Sequence, residues 1–459
     1  MIASASSVFE SRQEAFLADL FSFLRFPSIS TAPEHKPDML ACAEWIVRQL
    51  AASGLHAKIM STGGHPAVFA DSGPPEANRA APTILCYGHY DVQPIGEQVL
   101  WESPPFEPTI RDGAIYARGS ADNKGQLMTH LAAVRCWKEA AGQLPIRVKF
   151  LIEGEEEIGS PNLPAFLREN RDLLACDDVL ISDTFKHDAD TPAIPYATRG
   201  LLYKQLTVDG PTRDLHSGQY GGMVANPANV LADLIASLHD NQRRVTVPGF
   251  YDDVTPLTAT ERHQLNQHGL SETNLLAQTG SPTPLGEEGY TATERGTARP
   301  TLDVNGLTAG FSGPGSATLI PARASAKVSM RLVANQNPDK ISRAFDEALR
   351  RICPPAVRLS ITTSAACPAY LRRLDSPILQ VAIASLASTF GREPILTREG
   401  GTLPILPLFK EILGADSLML GFAVPDCNLH SPNEFFHITD FHMGTRCIIQ
   451  LMGALGAGG

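Results

Sequence analysis

Apolar residues at Phe16, Leu17, Leu20, Phe21 and Leu24 recur at helical spacing, so the first element predicted is a helix over Phe9–Leu24, ended by Pro27. A second amphipathic helix is expected over Pro37–Leu50, with Met39, Leu40, Ala43, Ile46 and Leu50 on one side. Residues 55–70 read as a pair of strands, and 71–82, rich in Pro, Gly and Ala, as a loop. Three short apolar runs then follow, Thr83–Tyr87, Val148–Ile152 and Val179–Ser182, each of the length and composition of a buried strand. Strand and helix patterns alternate to about residue 190, which predicts an α/β fold with a mostly parallel sheet covered by helices.

The middle of the chain changes character. Leu201–Val208 alternates as a strand, 214–222 is a glycine-rich loop, and Pro227–Leu238 has helical spacing. Ala324–Leu332 alternates again, with Ala326, Val328 and Met330 on one side and Lys327, Ser329 and Arg331 on the other; Pro338–Ile352 is a further helix. One-sided strands and helices predict an inserted two-layer α+β lid, with 243–315 a long excursion carrying short helices. Patterns of the first kind resume near Ser376. At 459 residues the chain exceeds one typical core, so the expected organisation is a catalytic domain in two parts, 1–198 and 375–459, around a lid and dimerisation domain, 199–374.

Composition narrows the function. A formal net charge of −11 without any basic run excludes a nucleic-acid surface, and no apolar stretch reaches the length of a membrane span. The first residues lack the basic and apolar regions of a signal peptide. Eight dispersed cysteines without a CxxC pair read as buried thiols in a reducing cytoplasm.

The chemistry gathers just past the strands. Val148–Ile152 runs into Gly154-Glu155-Glu156-Glu157-Ile158-Gly159-Ser160, three adjacent carboxylates that need solvent, counter-charge or a cation. His89 and Asp91 follow the Thr83–Tyr87 run; a carboxylate there suits the other ring N–H of a metal-bound imidazole. Asp122, at a Gly/Ser turn before a helix, suits either a metal ligand or a helix cap. Asp183 ends another strand, and His430 lies in a polar loop after the apolar run 418–424. Ligands of open α/β sheets gather outside the carboxyl ends of the strands. Two histidines and three carboxylates there meet the needs of two divalent ions sharing a bridging Asp; mixed N/O ligation suits zinc, with manganese or cobalt as alternatives.

Taken in order, Tyr87–Val92, Arg118–Asp122, Gly154–Ser160, Asp183 and His430–Glu434 resemble the co-catalytic metallopeptidase family of aminoacylase, glutamate carboxypeptidase and carnosinase, and within it the cytosolic non-specific dipeptidase and carnosinase branch. The resemblance implies a bridging Asp122, one metal held by His89 and Asp183, the other by Glu157 and His430, Asp91 orienting His89, and Glu156 as general base. It implies a homodimer in which His216 reaches the opposite subunit's site to stabilise an oxyanion. It also implies that Arg331 binds the substrate's terminal carboxylate, with Thr318, Gly401 and Thr402 as further substrate contacts.

Two divalent ions roughly 3.5–4 Å apart can bind a bridging water, lower its pKa and polarise a carbonyl oxygen. The expected function is metal-dependent hydrolysis of the amide bond of dipeptides or short peptides with a free carboxyl end. An N-acyl-amino-acid amidohydrolase is the enzymatic alternative. An inert binding protein of the same fold has no need of a general base at Glu156.

Overall fold

The computed structural model describes residues 1–76, 78 and 80–458, so residues 77 and 79 of the expected 71–82 loop lie outside the described set. The chain divides into two compact units: Met1–Tyr196 with Arg372–Thr397 and Leu408–Gly459, and Ala197–Leu371 with Arg398–Pro407.

The first unit is built on a six-stranded sheet in the order His56–Met60, Ala67–Asp71, Arg147–Glu153, Thr83–His89, Asp178–Ile181, Asp416–Met419. The first two strands pair antiparallel, and Ala67–Asp71 is antiparallel to Arg147–Glu153. The other four strands run parallel to one another. Burial on both faces explains why Thr83–His89, Arg147–Glu153 and Asp178–Ile181 carry largely apolar runs rather than alternating ones. Helix Lys124–Ala141 packs against Ile438–Ala457 and Ile2–Ser11, and Leu127, Phe150, Ile152, Leu180 and Ile448 meet in one buried core. Each such side chain contributes about 1.5–3 kcal/mol by leaving water, which holds the strand ends on a rigid base.

The Phe9–Leu24 helix expected from spacing is instead two helices, Ile2–Ser11 and Gln13–Leu24, parted at Arg12. Phe9 and Phe16 both enter the core from either side of the break, so the apolar spacing survives while the backbone does not continue.

The second unit holds a four-stranded antiparallel sheet in the order Thr301–Ala309, Arg323–Leu332, Gly200–Asp209, Arg358–Cys367. Helices Pro227–Ala236 and Pro338–Ile352 cover one face, where Leu202, Leu206, Val328, Met330, Leu231 and Phe345 pack together. Lys204 points to that same face and is buried, and its ammonium is matched by Asp346 at 2.8 Å and Ser342 Oγ at 2.6 Å. Two details differ from expectation. The glycine-rich stretch 214–222 contains a short strand, Leu215–His216, and a helical turn, Ser217–Tyr220. The excursion 243–315 has three short helices but ends in the long edge strand Thr301–Ala309, which past Leu302 is largely exposed on both faces and so carries no alternation to read.

Candidate active site

Four strands running in one direction bring their carboxyl ends to one edge of the sheet. Thr83–His89 delivers His89 as its last residue and Asp91 just beyond. Arg147–Glu153 leads to the single turn Glu156–Ile158, and Asp178–Ile181 leads to Asp183. From Asp416–Met419 the chain passes through the buried run 420–424 to His430, and Asp122 comes from the loop entering Lys124–Ala141. Gly88 is required for this convergence, because a Cβ there would lie 2.8 Å from Asn123 Oδ1.

The five side chains meet. His89 Nε2 lies 3.1 Å from Asp122 Oδ1 and 3.5 Å from Asp183 Oδ2. His430 Nε2 lies 2.9 Å from Asp122 Oδ2 and 3.4 Å from Glu157 Oε2. Two groups result, His89/Asp122/Asp183 and Asp122/Glu157/His430, with the candidate ligand atoms of each within 4.8 Å of one another. Asp122 belongs to both and offers a different oxygen to each. It does not cap the helix, which begins at Lys124 after Asn123 and has no side-chain cap bond. The donor set fits divalent cations. The buried Nε2 of His89 has no hydrogen-bond partner among the described residues, although carboxylate oxygens surround it. A buried ring nitrogen and several carboxylates converging on one point call for positive charge there, supplied by a cation or, without one, by protons.

Residues 85–454 match the sequence model of peptidase family M20/M25/M40. The chain belongs to this family. The Cys-Gly metallodipeptidase DUG1 of Saccharomyces cerevisiae is 30% identical over 471 residues, covering 97% of either chain. The human Beta-Ala-His dipeptidase is 30% identical over 369 residues, 79% of this chain and 73% of its own. Among solved structures, the M20 family metallo-carboxypeptidase Sso-CP2 of Sulfolobus solfataricus superposes with a TM-score of 0.81 at 33% identity, over 96% of this chain and 99% of its own. The yeast di-peptidase Dug1p superposes with a TM-score of 0.75 at 27% identity, over 100% and 99%. This M20 peptidase is therefore a hydrolase of peptide C–N bonds that depends on divalent metal.

Further residues hold the candidate ligands in place. The Asp91 carboxylate accepts the backbone N–H of Glu156 at 3.3 Å and of Glu157 at 3.0 Å, fixing the turn that carries both glutamates. His89 Nδ1 faces Asp91 twice, its carbonyl at 3.1 Å and its carboxylate at 3.4 Å. The Asp91 carboxylate thus lies between the turn and His89, and its carbonyl adds a second contact to the ring. Sequence reading missed two further holders. Gln93 donates to Glu157 Oε2 at 2.8 Å, and Asn123 donates to Asp183 Oδ1 at 2.9 Å. Their only signal was nearness in sequence to His89 and Asp122. The third carboxylate of the acidic run, Glu155, is buried and held by Asn162 at 2.8 Å.

The candidate substrate residues lie in the second unit as two sets. His216 pairs with Leu319 on the neighbouring short strand, and Ser217 N–H donates to the Thr318 carbonyl at 3.0 Å, so His216 and Thr318 are exposed neighbours. Arg331 Nη1 donates to Thr402 Oγ1 at 2.7 Å, and the Gly401 carbonyl accepts Arg199 N–H at 3.0 Å.

Without cations this cluster binds protons. Burial, and then the charges of Asp183, Asp122 and Glu157, push Glu156 up to about 8. Burial and Asp122 push Glu157 up to about 7. Burial works against a charged His89, but Asp122 and Asp183 outweigh it and hold the imidazole well above its ordinary value; the Asp122 hydrogen bond likewise raises His430. Burial works to raise Asp122, yet its bond to His430 and the charge of the adjacent His89 hold it low, so it acts only at more acid pH. Between 4.5 and the raised values the folded chain carries extra protons on Glu156 and Glu157, so unfolding free energy falls as pH rises. The histidine contributions, complete below their unfolded value, are lost in the same direction as pH climbs through the folded values. Chelator-treated protein is expected to melt at a lower temperature at about pH 8 than at about pH 5.5, and added divalent metal to raise melting more at the higher pH. Thermal unfolding across pH, with and without metal, checks this; a stability of the metal-free form that rises over that range contradicts it.

Proposed function

We propose that this chain hydrolyses the amide bond of dipeptides and short peptides that carry a free C-terminal carboxylate, using two divalent cations, zinc by preference. The observation that supports it most is the pair of ligand groups sharing Asp122. His89 and Asp183 would hold one cation, Glu157 and His430 the other, with Asp122 between them. Bound there, the cations supply Lewis-acid polarisation of the scissile carbonyl and a lowered pKa for water. Glu156 takes the proton of the attacking water and returns it to the leaving amine; a base poised near neutrality suits both tasks. Asp91 holds the turn on which Glu156 stands.

The substrate roles are assigned by chemistry. Arg331 offers a guanidinium to the terminal carboxylate, a charge-assisted pairing, while Thr402 fixes one of its nitrogens. His216 is assigned to the developing oxyanion, in a homodimer that we place in the cytoplasm, and Thr318 and Gly401 to the peptide backbone. Residues 1–198 and 375–459 form the catalytic domain in this reading, apart from 398–407, which lie with the second unit, and 199–374 the lid and dimerisation domain. Full-length likeness to a Cys-Gly dipeptidase supports the dipeptide assignment.

Replacing Arg331 by Met is expected to lower kcat/KM by about 10–100-fold, the worth of a hydrogen bond between charged groups. The same variant should no longer distinguish a dipeptide from its C-terminal amide. Steady-state rates on both substrates check it.

The function itself is tested by comparing Cys-Gly, β-Ala-His and Ala-Gly with N-acetyl amino acids, on protein reconstituted separately with zinc, manganese and cobalt. Dipeptides should be cleaved and EDTA should abolish the activity. Faster cleavage of N-acetyl amino acids would replace the proposal with an amidohydrolase. The likeness to a metallo-carboxypeptidase favours a second reading, release of the C-terminal residue from longer peptides, which a tripeptide and pentapeptide series separates from strict dipeptidase action.

A further inference from the structure

Glu434 lies four residues past His430, at the entry to the strand Phe435–His437, and its side chain is fully buried. A buried carboxylate is costly unless its oxygens are matched. Four donors match this one. Oε2 accepts Arg118 Nη1 at 2.8 Å and Gly119 N–H at 3.0 Å, and Oε1 accepts Ala121 N–H at 2.9 Å and Asp122 N–H at 3.1 Å. Three of the four are backbone amides of the segment that ends in Asp122, and the fourth is the side chain that begins it. The turn needs Gly119 at φ +84°, where a Cβ would also lie 2.7 Å from Val92.

The other side of Glu434 is a strained loop. Asn428, His430 and Asn433 all adopt left-handed backbone at φ 57°, 57° and 60°. Non-glycine residues in that region persist only where surrounding contacts hold them. His430 itself is 49% exposed, so packing alone does not place its ring. Glu434 anchors the end of this loop, and its backbone carbonyl accepts Ala117 N–H at 3.1 Å.

We propose that Glu434 is a positioning residue for the metal centre: one buried carboxylate sets the spacing between Asp122 and His430 by binding the backbone of the first and anchoring the loop of the second. The inference rests on the reading that Asp122 is shared by two cations. Because Asp122 belongs to both ligand groups, loosening it weakens both sites together. A Gln at 434 would turn an NH2 toward two of the four donors, so isosteric shape does not preserve the clamp. Lys at 118 would leave the three amide bonds in place.

The test strips wild type, Glu434→Gln and Arg118→Lys of metal, titrates each with zinc against a competing chelator, and follows thermal unfolding of the metal-free forms. Glu434→Gln is expected to lose about 10–100-fold in zinc affinity, the usual cost of removing a group that orients a metal ligand. At saturating zinc its kcat should fall by a larger factor than KM changes, and Arg118→Lys should keep most of the affinity. A lower metal-free melting temperature with unchanged zinc affinity would mean a purely structural role and overturn the proposal. Equal losses in Glu434→Gln and Arg118→Lys would overturn it too, in favour of the ion pair. If Glu434→Gln does not unfold cooperatively, Glu434→Asp takes its place with the same expectations. A wild-type chain that takes up no zinc would remove the function proposed above, whereas wild type and Glu434→Gln binding zinc alike removes this inference alone.

Discussion

Replacing Glu156 by Gln is expected to lower turnover about 10²–10⁴-fold, the usual worth of a positioned general base, while leaving metal uptake nearly intact. The two effects separate because Glu156 belongs to neither ligand group, although its neighbour Glu157 does. Its backbone N–H is held by Asp91 whatever its side chain, so the turn survives the change. Gln keeps the shape and loses only the ability to take a proton. Removing this carboxylate also takes one negative charge from a crowded cluster, so the metal-free protein should become no less stable at alkaline pH. Metal analysis beside kcat on a dipeptide measures both halves. A variant that keeps most of its turnover would show that the proton goes elsewhere.

Asp122→Ala attacks the other half of the site and is expected to abolish activity by emptying it. Both ligand groups lose a member at once. The loss in affinity should exceed the about 10–100-fold that follows removal of an orienting partner, since a ligand itself is gone. His89 and His430 also lose the carboxylate that lies 3.1 and 2.9 Å away, so they should titrate nearer their ordinary range in the metal-free variant. Metal content of the purified protein, with histidine titration by NMR, checks the prediction. Retention of two cations would mean that Asp122 does not bridge them.

Much of this candidate site could be read before folding because its candidate ligands sit just past apolar runs that have only one use. Thr83–Tyr87 and Val148–Ile152 are too short for helices and too apolar for loops, and both became central parallel strands. Asp122 was harder: cap and ligand look alike in sequence, and only the helix start at Lys124 and the approach of His430 separate them. Arg331 and Thr402 were named singly, and their hydrogen bond arises because the chain returns to the second unit over Arg398–Pro407. Gln93, Asn123 and Glu434 went unassigned because polar residues beside a motif are ambiguous until their partners are known.

From the order of its residues alone this chain determined its central strands, most of its core helices and the side chains able to bind a cation, because periodicity and donor chemistry are local properties. Folding alone decided that His430 meets Asp122 across 308 positions, and that Glu155 is held by Asn162 and Glu157 by Gln93 while Glu156 stands among the charges of the cluster. The physical reason is the parallel sheet. It aligns the ends of distant strands at one edge, and the buried polar groups found there then take whichever partners satisfy them.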